Sequence, residues 1–345
     1  MKFSAVAVNQ AVGKILGHNI AGKDGRRILS KGKILSEDDL QRLLQLGRQK
    51  VYVAELEPGD VEENQAALRI ASYLNGENIT LSRAAAGRVN LLASTRGILR
   101  VDAGQVGRLN QFEGITLATL PGDRFVRQKQ MVGTVKIIPY AVPDSILKRA
   151  EASLNGVNQA MKVDPLPSRK VGLILTGSPS TYDRLQVAYE SPLRTRVNDC
   201  GSELEMVGHI LLDEEEDEIA LSGLLSQLVT QGYELVILAG ETAVMDPGDI
   251  APRAIERAGG KLECVGLPVD PGNMLMLAYL GDVPILGAPG CARSLKTNAI
   301  DWVLPRLLLG EYLKRDELMS MGYGGLLEDT YKRPMPRSWQ RRPIS

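Results

Sequence analysis

From Val171 onward the sequence repeats one unit: an apolar run of strand length, a turn of Gly or other small residues, then an amphipathic helix. That order is the pattern of a parallel sheet with helices on both faces, since a parallel connection needs a crossover long enough to return along the sheet. The runs are Val171 to Leu175, about Glu203 to Leu212, Glu234 to Ala239 and about Lys261 to Val269. A hairpin follows, Met274 to Leu280 and Val283 to Leu286 around Gly281-Asp282. Helices are expected on either side of Pro192, after Asp213-Glu214-Glu215-Glu216, over Ile250 to Ala258 with Asp249 as its cap, and over Lys296 to Leu309. In the second of these, Ile219, Leu224, Leu225, Leu228 and Val229 mark the inner face. The fold class predicted for this half is α/β, a three-layer, mostly parallel sheet.

In such a sheet the C-terminal strand ends lie along one edge, and ligands settle in the crevice there. Thr176-Gly177, Asp213, Gly240-Glu241-Thr242-Ala243, Pro271-Gly272-Asn273 and Gly287 to Ser294 are therefore expected on that edge. Small residues let backbone N–H groups come close to an anion, and a helix start adds unpaired N–H groups and a positive dipole end. In the last loop, Gly287, Pro289, Gly290, Cys291, Ala292, Arg293 and Ser294 approach a nucleotide P-loop. The match fails because Ala292 replaces a required Gly and Arg293 a required Lys. The ligand expected from the set is one that carries a phosphate. A structural reading stands beside each residue: Gly-Pro loops join strands to helices generally, Asp213 with Glu216 is a capping pair, and Cys291 is a small packing residue.

The N-terminal half differs in texture. The expected division is 1–168, an α+β region that is helical over 1–76, β-rich over 79–141 and helical over 144–162; then 169–310 and an extension over 311–345. Ser36 with Asp39 reads as a helix N-cap, and Val163 to Ser168 as a Pro-containing connector. The tail from Tyr331 through Pro343 is basic and Pro-rich.

Composition removes several partner classes. Lys plus Arg and Asp plus Glu each number 41 among 345 residues, so net charge gives no case for nucleic acid, and aromatic residues are few. No apolar run suits a bilayer, and the start shows no secretory h-region, so no membrane partner is expected and the location expected is cytoplasmic. Three widely spaced Cys and two His suggest neither a disulfide framework nor a zinc site.

The turns also carry a resemblance. Gly240-Glu241-Thr242-Ala243 through Asp249-Ile250-Ala251-Pro252, then Pro271-Gly272-Asn273, then Gly287-Ala288-Pro289-Gly290, resemble the molybdopterin-binding domain shared by molybdopterin adenylyltransferases and molybdopterin molybdenumtransferases. Gly87 to Leu91, Ile115 to Leu120, Met131 to Ala141, Pro268 to Leu275, Leu286 to Ser294 and Met321 to Leu327 are similar to the molybdopterin-binding half of bacterial molybdenum cofactor nucleotidyltransferase fusions. This resemblance implies molybdopterin or molybdenum cofactor as ligand. It implies Thr176 and Gly177 as the first loop, Gly240 and Thr242 in the phosphate loop, and Asp213 and Asp249 as acids for catalysis and for Mg²⁺. The partner it implies is a nucleotidyltransferase or molybdenum hydroxylase, acting in trans or from beyond this sequence; a homo-oligomer is compatible with it. Three roles remain open on these residues: a cofactor carrier, a Mg²⁺-dependent transferase, and a non-catalytic scaffold. Departures bear on the choice: Glu241 replaces the usual second Gly, the first loop reads Thr176-Gly177-Ser178-Pro179, and Cys291 replaces the usual Asn.

Overall fold

The computed structural model describes residues 1–154 and 160–327. The chain divides into two compact units, Met1–Asp164 and Pro165 onward.

The second unit is built on a six-stranded sheet. Its strands are β1 (Lys170–Thr176), β2 (Glu203–Ile210), β3 (Leu235–Gly240), β4 (Lys261–Val265), β5 (Met276–Leu280) and β6 (Val283–Gly287), and their spatial order is β2-β1-β3-β6-β5-β4. The pairs β2/β1, β1/β3 and β3/β6 are parallel, while β5 is antiparallel to both neighbours. Five strands thus point one way, and Thr176, Ile210, Gly240, Val265 and Gly287 end on a common edge. The β5–β6 hairpin closes at Leu280 opposite Val283 around Gly281-Asp282.

Helices α1 (Tyr182–Asp199), α2 (Glu215–Thr230), α3 (Ile250–Arg257), α4 (Ile300–Leu309) and α5 (Arg315–Ser320) complete the unit. On one sheet face Leu221, Leu225 and Leu228 of α2 and Ala251, Ala254 and Ile255 of α3 bury Ile174, Val236, Leu238, Met276 and Ile285. Helix α1 packs on α4 and on β1. The result is the α/β, three-layer, mostly parallel arrangement expected.

Several local expectations need correction. Pro192 does not divide two helices; it sits inside one continuous α1. Leu185, Tyr189, Leu193 and Val197 form an unbroken buried stripe at four-residue spacing, and their burial outweighs the single backbone hydrogen bond a proline removes. Helix α4 begins at Ile300, not Lys296, because Asn298 accepts the Ile300 N–H at 3.0 Å and the chain before it follows another course. On α2, Ile219 is exposed, and the position expected to be apolar is filled by the buried acid Glu218. The α2 cap is not Asp213 with Glu216: the Asp217 carboxylate accepts N–H groups of Asp213 and Glu214, both at 3.0 Å.

In the first unit, 1–76 is mixed rather than helical. Lys2–Ala7, Lys50–Glu55 and Ile15–Leu16 form a three-stranded sheet beside the Glu37–Gln45 helix, whose N-terminus carries the Ser36–Asp39 capping box. A second helix spans Glu63–Leu74. The sheet of Ile115–Thr119, Met131–Ile137, Arg88–Ala93 and Ile79–Leu81 supplies one core, with Leu91, Val135 and Ile137 fully buried. Expected to run through 162, the helix from Asp144 ends among the described residues at Leu154; Met161–Pro165 is instead a strand beside Gly97–Val101. Val163 is buried within it, so the presumed connector is partly sheet.

Buried Arg306 of α4 pairs with Glu311 and Glu317 beyond the helix, and the Leu313 N–H donates to the Tyr279 hydroxyl at 2.8 Å. The tail from Tyr331 lies outside the described residues. No helix among those described is long and apolar enough to cross a membrane.

Candidate functional site

At the common strand-end edge lies a cleft of about 360 Å³, lined among others by Thr176, Gly240, Thr242, Ala243, Asp249 and Gly287. These are six of the residues read from the sequence as one site. Strands β1, β3 and β6 deliver Thr176, Gly240 and Gly287, while Thr242 to Asp249 form the loop from β3 into α3.

Glycine is required at two of these strand ends. A Cβ on Gly240 would stand 2.0 Å from the Thr176 hydroxyl oxygen and 2.7 Å from the Thr176 carbonyl oxygen. Gly177 has φ 154°, and a Cβ there would meet Leu185, Thr181 and Glu241 at 2.9–3.2 Å. Close packing of β1 on β3 thus fixes the cleft floor.

Glu241 turns away from the cleft. Its carboxylate accepts from the Ser178 N–H at 3.4 Å and the Thr181 hydroxyl at 3.2 Å, and it lies 3.4 Å from an Arg184 nitrogen. This extra acid consequently faces the first loop, Thr176 to Thr181, and does not line the cleft itself.

Asp249 lines the cleft at the N-cap position of α3, but it does not cap that helix. Its Oδ2 accepts the N–H groups of Met245 at 2.7 Å and Asp246 at 3.1 Å, bracing the loop. Asp213 is exposed and is not among the lining residues. One carboxylate is thus already engaged by backbone donors and the other stands outside. No group of three or more His, Cys, Asp or Glu side chains suited to a metal ion comes together among the described residues. Of the two acids, the cleft lining therefore holds Asp249 and not Asp213.

The loop from Gly287 to Ser294 contributes only its beginning. Gly287 and Ala288 line the cleft, and the Ala288 N–H is spent on the Leu238 carbonyl at 2.7 Å. Gly290–Arg293 form a short 3-10 turn, with α4 starting seven residues beyond Arg293, so no α-helix dipole ends at this loop. The Arg293 guanidinium lies over the Tyr189 ring at 4.7 Å and donates to the Gly240 carbonyl at 3.3 Å; it does not line the cleft. Pro289, Gly290, Cys291, Ala292 and Ser294 also stand off it.

What fixes that loop is Arg196 of α1, which the sequence reading did not single out. It is buried, bonds Asp301 through Nε at 2.8 Å, and donates to the carbonyls of Ala292, Ser294 and Lys296 at 3.3, 2.7 and 3.1 Å. Pro271 and Gly272 likewise serve the start of α4, and Asn273 bonds Leu267, donating to its carbonyl at 3.3 Å; none of the three lines the cleft. The Ala299 N–H donates to the Pro271 carbonyl, and a Cβ on Gly272 would lie 2.1 Å from that of Ala299.

Arg253 was also missed. It lines the cleft one turn into α3, donates through Nε to Glu218 at 2.8 Å and through Nη1 to the Gly248 carbonyl at 2.9 Å. Glu218, nearly buried, also accepts from Arg257 at 2.7 Å. Arg257 first, then Arg253, holds the Glu218 carboxyl below its ordinary pKa. A depressed folded-state value contributes stability above the unfolded value of about 4.3, and that contribution is lost as pH falls through the lower folded value. Glu218→Gln is therefore expected to flatten the fall in urea midpoint between about pH 5 and pH 3. An unchanged slope would show that the acid's burial has no linkage to folding.

Apolar walls complete the cleft: Leu212, Leu238, Val244 and Ile250, with the exposed Met245 at its rim. Flat heterocycle against apolar wall and anion against guanidinium is the chemistry this arrangement can hold.

Comparison with known proteins adds little. Residues 5–55 match a family model described as Domain of unknown function (DUF8806), and no curated protein matches the chain. Among solved structures, the chain is 15% identical to a molybdopterin biosynthesis moeA protein from Pyrococcus horikosii, covering 89% of this chain and 75% of that one at TM-score 0.31. It is 13% identical to a molybdenum cofactor biosynthesis protein from Pyrococcus furiosus, covering 90% and 64% at TM-score 0.26. For a molybdenum cofactor biosynthesis protein B the identity is 11%, with 41% and 94% covered at TM-score 0.29. At such scores the overlaps are shallow, and the reading of the cleft rests on this chain's own residues.

Proposed function

We propose that this protein binds molybdopterin, or the molybdenum cofactor made from it, in the strand-end cleft and presents it for a later maturation step. The supporting observation is the meeting of Thr176, the Gly240 to Asp249 loop and Gly287 around one cleft at the C-terminal edge of a mostly parallel sheet. Of the residues whose order and spacing resemble the molybdopterin-binding domain, Gly240, Thr242, Ala243, Asp249 to Ala251, Gly287 and Ala288 gather there, while Pro271 to Asn273, Pro289 and Gly290 do not. The pterin rests on Leu212, Leu238, Val244 and Ile250, and its phosphate faces the α3 side. A nucleotidyltransferase or molybdenum hydroxylase then receives the cofactor.

Carriage is favoured over catalysis because Asp249 is engaged by the 245–246 backbone and Asp213 stands outside the cleft. A Mg²⁺-dependent transfer needs carboxylates available to the ion and to phosphate oxygens. Chain purified from cells that make the cofactor is expected to release a pterin in near-stoichiometric amount, identified by mass spectrometry after denaturation. Purified chain with pterin, molybdate and Mg²⁺ is expected to show no turnover. A pterin yield no greater than that of an unrelated protein prepared alongside would overturn the proposal, and Mg²⁺-dependent turnover would replace the carrier with an enzyme.

A further inference from the structure

We infer that the open sheet face of the first unit, built on Phe3, Tyr52 and His18 and flanked by a basic hairpin, docks an acidic, extended segment of a partner protein that carries an apolar anchor. The inference concerns the first unit alone and does not depend on what the strand-end cleft binds.

In the three-stranded sheet Phe3 lies opposite Ala54, Ala54 opposite Ile15, and Ile15 opposite Ile34. Directly opposed residues of antiparallel strands project from the same face, so these four make one apolar row across it. Tyr52, opposite Ala5, joins that face two residues from Ala54. The other face buries Leu16, Val51 and Val53 against Leu40 and Leu43 of the Glu37–Gln45 helix. The row has no such cover: Phe3 is 44%, Tyr52 51% and Ile34 65% exposed. Its rings are nonetheless held in place. Phe3 runs nearly parallel to Tyr52 at 5.8 Å, and His18 stands edge-on to both at 5.6 and 5.4 Å. A Cβ on Gly17 would come within 2.6 Å of the Phe3 ring, so that ring rests on bare backbone. Rings fixed before contact lose little freedom on binding, and aromatic side chains are the usual anchors of protein interfaces.

Charge selects the partner. Residues 1–35 contain seven Lys and Arg and one acid, Asp24. Two of the seven are neutralised by later acids: Lys14 pairs with Glu55, and Lys33 with Asp39 at 2.6 Å. The N-terminal amine holds both Glu57 and Asp60 at 2.8 Å, leaving one surplus negative charge at that corner. Lys2, Lys23, Arg27 and Lys31 remain exposed, with Arg26 beside Asp24 and Lys50 two residues before Tyr52. Lys23, Arg26 and Arg27 belong to the hairpin of Ile20–Ala21 and Arg27–Leu29, and the Lys31 N–H donates to the Asn19 side chain at 2.8 Å, next to His18. The exposed acids Glu37 and Asp38 sit on the helix that covers the other sheet face. An aromatic centre within a charged rim is the anatomy of a protein interface.

An extended polyanion fits this face less well. Of 41 Lys and Arg and 41 acids, the patch leaves 34 against 40 for the rest of the chain, so a nucleic acid or anionic membrane reaching past it meets net negative charge. The hairpin turn, Gly22 to Arg26, also offers no apolar side chain for insertion into lipid. A short acidic segment meets the cations and seats its apolar side chain on the rings.

The test follows the fluorescence anisotropy of a labelled peptide of about twelve residues, Glu except for a central Leu pair, added to the whole chain. Its rivals are the same peptide with Gln for Glu, single-stranded oligo(dT), and phosphatidylcholine vesicles containing phosphatidylserine. At low salt the Glu peptide is expected to bind about 10- to 100-fold more tightly than the Gln peptide, a gap that closes in about 0.5 M NaCl, and more tightly than oligo(dT) or the vesicles. Lys23→Glu combined with Arg27→Glu is expected to abolish the preference for Glu. Tyr52→Ala is expected to weaken both peptides about ten-fold while the preference persists, and Tyr52→Phe, which keeps the ring, to bind as the natural chain does. Arg42→Glu, on the covering helix, is expected to change neither peptide. Equal binding of the Glu and Gln peptides, unchanged affinity in Tyr52→Ala, tighter binding of oligo(dT) or vesicles, or no binding of either peptide overturns the inference.

Discussion

Arg196→Ala is expected to destabilise the C-terminal unit by about 3 kcal/mol, the scale for removing one partner of a buried ion pair. Asp301, the partner, is 31% exposed, so the lower end of that scale applies. The cost comes from three losses together. Asp301 keeps the Asn298 N–H on Oδ2 but loses the guanidinium fork. The carbonyls of Ala292, Ser294 and Lys296 lose a common donor, and Ala292 is fully buried, so its oxygen has least access to water. The long side chain also leaves a void between α1 and the loop.

Arg196→Lys is expected to recover only part of this, since one ammonium cannot serve a carboxylate and three carbonyls in different directions. Urea unfolding reads the stability. Trypsin reads the loop separately: cleavage after Arg293 and Lys296 is expected to accelerate in Arg196→Ala under conditions where the unit is still folded. A loss below about 1 kcal/mol, with no change in cleavage, would mean that the clamp is incidental.

These residues also mark where sequence reading stops. Gly240, Thr176 and Gly287 were legible because each ends an apolar run, and the ends of parallel strands must share an edge. The Gly281-Asp282 hairpin was legible from two apolar runs separated by a two-residue turn. Arg196 and Asp301 are 105 positions apart, and Arg253 and Glu218 are 35 apart. A charged residue in an amphipathic helix ordinarily reads as solvent-facing, and nothing local distinguishes one destined to meet a buried partner. The same blindness gave Arg293 to the cleft: a cation beside a small-residue loop looks like an anion ligand until Tyr189, more than a hundred residues earlier, is found beneath it. Pro192 misled for the converse reason, because a local rule about proline was weighed without the long buried stripe that overrides it. What sheet topology fixes could be read; what depends on which helices later become neighbours could not.

Gly240→Ala is expected to cost about 2–4 kcal/mol and to remove ligand binding, with the cleft floor deformed even where the unit still folds. Gly240 is paired with Thr176 across β1 and β3, and the Glu241 N–H donates to the Thr176 carbonyl at 2.9 Å. A new methyl meets the Thr176 hydroxyl at 2.0 Å, a clash that rotation about χ1 relieves. It also meets the Thr176 carbonyl oxygen at 2.7 Å, which only separation of the strands relieves. Pairing Gly240→Ala with Thr176→Ala therefore tests which contact dominates. The double variant is expected to regain less than half the loss, since the carbonyl contact persists. Gly290→Ala is the matching control on a neighbouring loop: a Cβ there has nothing within 4 Å, and its cost is expected to stay within about 0.5 kcal/mol. If both glycines tolerate alanine equally, close approach of β1 to β3 does not shape the cleft. If full stability returns in the double variant, the Thr176 side chain, and not the backbone, sets the limit.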